Sequence, residues 1–230
     1  MIVNTIQYTM NLQEYDISSK EFRRALEDAL DDFQFSSFNY PQNIMPMGGE
    51  VPLMLGLTVH GHAQIQLTQR GIHLLVRYDE NYWHDLDKCF SYACTKIERI
   101  KKLVAAQHKS IRYEGLIAQY IFPEEKKPIE NFLSNMVAIK YGNRKIADIA
   151  LKICFVDKDR FFTNFSFSVL HTENNSKDQA IGVVVDINNR YGVENCKSSD
   201  SDDDLSTMVD MHREIVANKL EEMIKNGKNE

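Results

Sequence analysis

From Ile2 to Met10 the chain alternates. Ile2, Asn4, Ile6, Tyr8 and Met10 fall on one side, and Val3, Thr5, Gln7 and Thr9 on the other. A period of two predicts a strand. Ser18, followed by Glu21, has the form of a capping box, in which the serine side chain caps the helix start and the glutamate reaches back. Phe22, Ala25, Leu26, Ala29, Leu30 and Phe33 then recur at helical spacing. Pro41, Pro46, Gly48 and Gly49 break the pattern between Ser36 and Glu50, which predicts an irregular loop. Three antiparallel strands are predicted over residues 51–79. Val51, Leu53, Leu55, Leu57 and Val59 are apolar at odd positions, as are Ala63, Ile65 and Leu67. For these to share a face, His60-Gly61-His62 must form a three-residue loop. Ile72, Leu74, Val76 and Tyr78 are apolar at even positions, which favours a two-residue turn at Arg70-Gly71. Trp83, Leu86, Phe90, Ala93, Cys94, Ile97, Ile100 and Val104 then mark one stripe of a long helix between Tyr82 and His108.

The second half follows a similar plan. Ile111 to Phe122 reads as a strand, Pro128 fits the first turn of a short helix through Asn135, and strands follow at 136–141, 146–156, 161–170 and 180–188. Ile149, Leu151, Ile153 and Phe155 share parity with Phe161, Phe165, Phe167 and Val169, so Asp157-Lys158-Asp159 suits a three-residue loop. Residues 196–204, rich in Ser and Asp, read as a solvated linker. An amphipathic helix over 205–226 carries Leu205, Met208, Val209, His212, Ile215, Val216, Leu220, Met223 and Ile224 on one face. The expected fold class is α+β. Two helix-on-antiparallel-sheet modules, β-α-β3-α over residues 1–109 and β-α-β4-α over 110–230, would form one compact molecule with a continuous or paired sheet. The second sheet's face of Ile149, Leu151, Ile153, Phe165 and Phe167 is the expected seat of the last helix.

Val51-Pro52 leading into the hairpin strands, the strand and long helix from Ile72 to Leu103, Val183-Val184-Val185-Asp186-Ile187 before an acidic spacer, and Val209-Asp210-Met211-His212 in the helix that begins Asp203-Asp204-Leu205 resemble a known family. It is a sporadically distributed set of bacterial proteins of similar length to which no activity is assigned. A basic-rich strand of that family survives in part as Ile111-Arg112-Tyr113-Glu114-Gly115-Leu116. The resemblance implies a two-layer α+β fold, a bacterial or phage source and, from the patchy distribution, a part in a defence or accessory system. It brings no catalytic residues.

Composition narrows the function classes. The 230 residues carry 27 Lys and Arg against 33 Asp and Glu, a formal charge of −6, which argues against a dedicated DNA-backbone binder. No apolar run reaches the length of a membrane span, and Met1 to Ile6 lacks the basic start and apolar stretch of a secretory signal. With four cysteines and no C-x-x-C, reduced thiols in a cytoplasm are the expected state, Cys196 being the most reactive of them. Phosphate-loop, dinucleotide, nucleophile-elbow and zincin motifs are absent from the sequence.

Three readings of the chemistry follow. His60, His62 and His73 could supply nitrogen ligands for a metal-dependent hydrolase, but no closed ligand set is fixed, so no metal or cofactor is expected. Lys96, Arg99, Lys101, Lys102, Lys109 and Arg112 form the one basic concentration, the basis of an alternative reading as a nucleic-acid or nucleotide binder. The leading reading is non-enzymatic. Helices on one face of a sheet leave the other open, and that face would show Met54, Thr58, Gln64, Gln66, Thr68, His73, Leu75 and Arg77 in the first half. In the second it would show Lys152, Cys154, Phe162, Asn164, Ser166, Ser168 and Leu170. Gln64, Gln66, His73, Arg77, Asn164 and Ser166 are the candidate contact residues for another protein or a second copy, with nucleic acid less favoured as partner and no membrane.

Overall fold

The computed structural model describes residues 1–13, 19–38, 52–68, 71–108, 110–124, 150–171, 179–194, 204–220 and 224. The expected strand at 136–141, the short helix from Pro128, Lys109 and Cys196 lie outside them. The chain runs β1 (Ile2–Leu12), α1 (Lys20–Ala29), β2 (Phe33–Ser37), β3 (Pro52–Thr58), β4 (Ala63–Thr68), β5 (Gly71–Arg77), α2 (Leu86–Ala106), β6 (Ile111–Glu124), β7 (Ala150–Asp157), β8 (Phe161–His171) and β9 (Gln179–Asn188). It continues with α3 (Arg190–Glu194), α4 (Asp204–Ile215) and a π-helical turn, Val216–Leu220. All nine described strands join one antiparallel sheet in the order β2-β3-β4-β5-β1-β6-β9-β8-β7. The fold is α+β, as expected. β1 and β6 pair along the middle, so residues 2–77 supply one wing and 111–188 the other.

The helical face follows from the alternation. Ile6, Tyr8 and Met10 of β1, Ile65 and Leu67 of β4, Ile72, Leu74 and Val76 of β5, and Leu116, Ala118 and Tyr120 of β6 are buried with Phe90, Ala93, Ile97, Ile100 and Val104 of α2 in one core. α2 starts where the Asp85 carboxylate accepts from the Lys88 N–H at 2.9 Å, an N-cap that also places negative charge at the positive end of the helix dipole. The cap of α1 is Ser19, whose Oγ accepts from Phe22 N at 3.1 Å, one residue later than the sequence predicts. α4 buries Leu205, Met208, Val209, Met211, His212 and Ile215, and the π-helical turn carries the stripe on to Leu220. It packs on β6 and β9, closer to the seam than the β7–β8 surface the sequence suggests, because Tyr120 and Leu116 on β6 engage His212.

Several registers differ from expectation. β3 is inverted: Met54 and Gly56 face the helices, and Leu53, Leu55 and Leu57 face away. The cause is β2, a strand the sequence reading gives to the end of a helix and a loop. Its Phe35 lies opposite Gly56, where a Cβ would meet the phenyl ring at 2.5 Å. The β3–β4 connection is therefore four residues, Val59 to His62, with Gly61 at φ 69° and Gly61 N bonded to Thr58 O at 2.8 Å. The β4–β5 pairing has the expected parity but lies two residues earlier, so Gly71 opens β5 against Asn11. Asp157 pairs with Phe161, which moves the β7–β8 loop to Lys158-Asp159-Arg160, with Lys158 and Asp159 in left-handed conformations. A bulge between Val3 and Thr5 buries Val3 and turns Asn4 to Gln119. The first half thus has four strands after α1, where the sequence suggests three.

Candidate functional site: the uncovered face of the sheet

Register brings the candidate contact residues of both halves onto one surface. Paired residues on neighbouring strands form rows, about 7 Å apart along the strands. One row runs Ser36, Leu55, Gln66, His73, Thr9, Gly115, Asn188, Phe162, Val156. The next runs Gln34, Leu57, Gln64, Leu75, Gln7, Ile117, Asp186, Asn164, Cys154. A third runs Arg77, Thr5, Gln119, Val184, Ser166, Lys152. Gln64, Gln66, His73, Arg77, Asn164 and Ser166 therefore share the face opposite α1, α2 and α4, which among the described residues those helices leave uncovered. Met54 and Thr58, assigned to this face from sequence, point to the helical side; Leu53, Leu55 and Leu57 take their place. Thr68 is buried, with its hydroxyl bonded to Gly71. At one corner Tyr191 of α3 sets its ring edge against Phe162 at 5.3 Å.

The surface has a shallow depression of about 280 Å³ floored by Gln7, Thr9, Gln64, Gln66, His73 and Leu75. His73 Nδ1 and Thr9 Oγ1 lie 3.2 Å apart. Asp186 is half-buried. Asn164 and Asn188 each donate to its carboxylate at 3.2 Å, yet burial outweighs these bonds and nearby Lys152 and raises its pKa above the ordinary value. The exposed apolar groups cluster at the wings: Leu57 is 42% exposed, Val156 45% and Val59, at the β3–β4 turn, 72%.

The basic concentration is dispersed by pairing. Lys96 is buried, bonds Asp32 and lies over the rings of Phe33 and Tyr92. Arg99 bridges Asp31 and Asp32, and the Asp32 carboxyl is held below its usual range by Lys96 and then Arg99, against the opposing effect of burial. Lys101 reaches Glu114 at 3.1 Å. Lys102 and Arg112 are exposed. The histidines are dispersed as well. His60 and His62 have ring centroids 6.4 Å apart, His62 lies 3.6 Å from Asp79, and His73 belongs to the uncovered face. Among the described residues no three His, Cys, Asp or Glu groups converge as metal ligands.

A second polar assembly was missed in the sequence. Glu114 is 0% exposed on the helical face, where it accepts from the Tyr8 hydroxyl and the Lys101 ammonium. Asn189 accepts from Glu114 N at 2.9 Å and donates to Asp204 at 2.7 Å, while Arg160 holds Asp204 at 2.6 Å. This chain of bonds ties α2, β1, β6 and the start of α4 together. Burial raises the Glu114 carboxyl above its ordinary pKa against the pull of Lys101 and Tyr8. Burial first, then Glu114, pushes the Tyr8 hydroxyl up as well. Above it, a groove of about 540 Å³ between α2 and α4 is lined by Phe90, Cys94, Lys101, Lys102, Val209 and Arg213 among others. Its Lys101 is committed to Glu114, and Arg213 to Asp87 at 2.9 Å and Asp210 at 3.3 Å. The readable signal for this assembly was Glu114 itself, a charge at a core position between Arg112 and Leu116. Burial raises the thiols of Cys89 and Cys94 to about 12 and about 11, so neither forms a ready nucleophile. Among the described residues, no helix is long and apolar enough to cross a membrane.

No protein-family model matches the chain, and no curated protein sequence matches it either.

Proposed function

We propose that the protein is a non-enzymatic binding module whose contact surface is the uncovered face of the nine-stranded sheet, with a protein as its partner. The observation that carries this is the inversion of β3, which turns Leu53, Leu55 and Leu57 away from the core beside the amide-rich rows of β4, β5 and β1. Of the twenty-four residues in the three rows, only Arg77, Lys152 and Asp186 are charged, against 26% for the chain. Depletion of charge around exposed apolar and amide groups is the compositional mark of an interface core. The opposite face supports the choice, since Lys101 and Arg213 of its groove are already paired within the fold.

The strand order also supports reading the halves as two related helix-on-sheet modules, because each block of strands begins at the β1–β6 seam and is followed by a helix, α2 or α4. A part in a bacterial or phage accessory system belongs to the same proposal and rests on the sequence resemblance.

The nucleic-acid reading loses Lys96, Arg99 and Lys101 to carboxylates. Among the described residues it keeps Lys102 and Arg112, whose phosphate contacts would give a steep dependence on salt. The test pairs the wild type with Leu55→Asp,Leu57→Asp. Capture of a purified host partner that is lost in this variant and varies little with salt supports the proposal. Nucleic-acid binding with a steep salt slope, lost on replacing Lys102 and Arg112 and unchanged by the leucine changes, overturns it.

A further inference from the structure

We propose that the partner on the uncovered face is a second copy of this chain, packed sheet to sheet about a two-fold axis that runs along the β1–β6 seam. The inference rests on the binding role proposed for that face and adds the occupant. An isologous interface requires one patch to complement itself. About such an axis each strand faces the strand equally far from the seam on the other wing, so β5 lies over β9, β4 over β8 and β3 over β7.

The rows then match. Leu55 of one copy faces Val156 of the other, Leu57 faces Cys154, and Gln64 faces Asn164, while Phe162, against the ring of Tyr191, lies at the margin of the contact. The exposed apolar groups of one wing thus cover those of the other. Arg77 on β5 falls one row, about 7 Å, from Asp186 on the β9 strand opposite. Across the roughly 10 Å that separates packed sheets, an extended arginine spans that offset. Arg77 is exposed, and the Asp186 carboxylate is half-buried against two amides. Symmetry makes the Arg77–Asp186 pair twice. The size also fits. The eight strands that face one another, about 4.8 Å apart, by three rows make a patch of roughly 38 by 20 Å, close to the roughly 800 Å² per partner of a standard stable interface, and β2 lies outside it. Three charges in that patch leave little of the chain's net charge of −6 to oppose approach.

The test is sedimentation equilibrium of the full chain over a wide concentration range. The expected result is a wild-type dimer. Arg77→Asp and Asp186→Arg should each weaken it about tenfold or more, Leu57→Asp should do the same, and the exchange Arg77→Asp,Asp186→Arg should restore it to within a few-fold. Arg77 is exposed, so Arg77→Asp keeps a wild-type near-UV spectrum, and an unchanged dissociation constant in that variant overturns the proposal. A wild type that is monomeric at every concentration also overturns it. If that monomer still loses a host partner on Leu57→Asp, the dimer falls alone and the face remains a binding surface. A charge-exchangeable dimer that captures no other protein upholds the inference.

Discussion

Acidification should destabilise this protein through His212 before its carboxylates take effect. His212 is 0% exposed. Its Nε2 faces the Leu116 carbonyl oxygen at 3.1 Å, its Nδ1 faces the Tyr120 hydroxyl at 3.2 Å, and Phe90 lies at 5.5 Å between ring centroids. These contacts are complete for a neutral ring that donates from Nε2 and accepts at Nδ1. A second proton would remove the acceptor and place a charge in the core, so burial lowers the pKa from 6.5 to about 4, only partly opposed by the Leu116 bond. The sign follows from proton uptake. Between about pH 6.5 and 4 the unfolded chain takes a proton that the folded chain refuses. Stability from this group is therefore complete above about 6.5, falls as the pH drops towards 4, and changes little below that. At 1.36 kcal/mol per pKa unit the loss is about 3 kcal/mol. Glu114, whose folded pKa is raised, acts in the opposite direction, losing stability as pH rises through its folded value; Asp32, whose pKa is lowered, loses stability as pH falls through its own. Both are common to the wild type and His212→Gln, so they cancel in the difference. Urea unfolding of the two chains at a series of pH values should show the wild type losing about 3 kcal/mol relative to the variant between pH 7 and 4. Parallel curves would refute the assignment of a buried neutral imidazole.

Other perturbations read separate parts of the fold. Gly56→Ala should cost about 1–3 kcal/mol by overpacking against Phe35 and Ile65, and Phe35→Ala in the same chain should recover part of it; chemical denaturation of the single and double variants checks this. Lys101→Met should cost about 3–5 kcal/mol by leaving the Glu114 carboxylate buried and unpaired, whereas Lys101→Met with Glu114→Gln should be much milder, a contrast that a double-mutant cycle measures. Ile65→Ala should cost about 2–5 kcal/mol, while Leu57→Asp should change stability by no more than about 0.5 kcal/mol at concentrations where the chain is monomeric.

How much of this was legible in the sequence depends on how local the deciding contact is. The β4, β5, β8 and β9 faces follow from strict alternation, and α2 from its stripe, because side-chain periodicity and burial agree there. β3 does not. Leu53, Leu55 and Leu57 look like a core face until Phe35 takes the space over Gly56, and that strand pairing spans residues far apart in sequence. β2 was hidden because Phe33 continues the helical stripe of α1 while also beginning a strand. Lys152, Cys154, Asn164 and Ser166 share the outer face of the second half because Phe165 and Phe167 alternate with them and mark the inner side. The ionic assembly was not read, since Asp204 has an ordinary explanation in an acidic helix start and the partners of Glu114 come together only when β6 is paired with β9 and α4 is docked. The pairing of the basic concentration was not legible because Asp31 and Asp32, which neutralise Lys96 and Arg99, lie in a different segment.

If the chain works as a two-fold dimer, the face opposite the helices is occupied. Cys154 reports on it directly, as an exposed thiol in the same row as Leu57, Gln64 and Asn164. Pulsed alkylation followed by peptide mass spectrometry, at increasing concentrations of the full chain, should show Cys154 labelling slow as the chain associates, with labelling restored by Leu57→Asp. A Cys154 rate that stays constant while the chain associates would place the contact elsewhere and contradict the central claim.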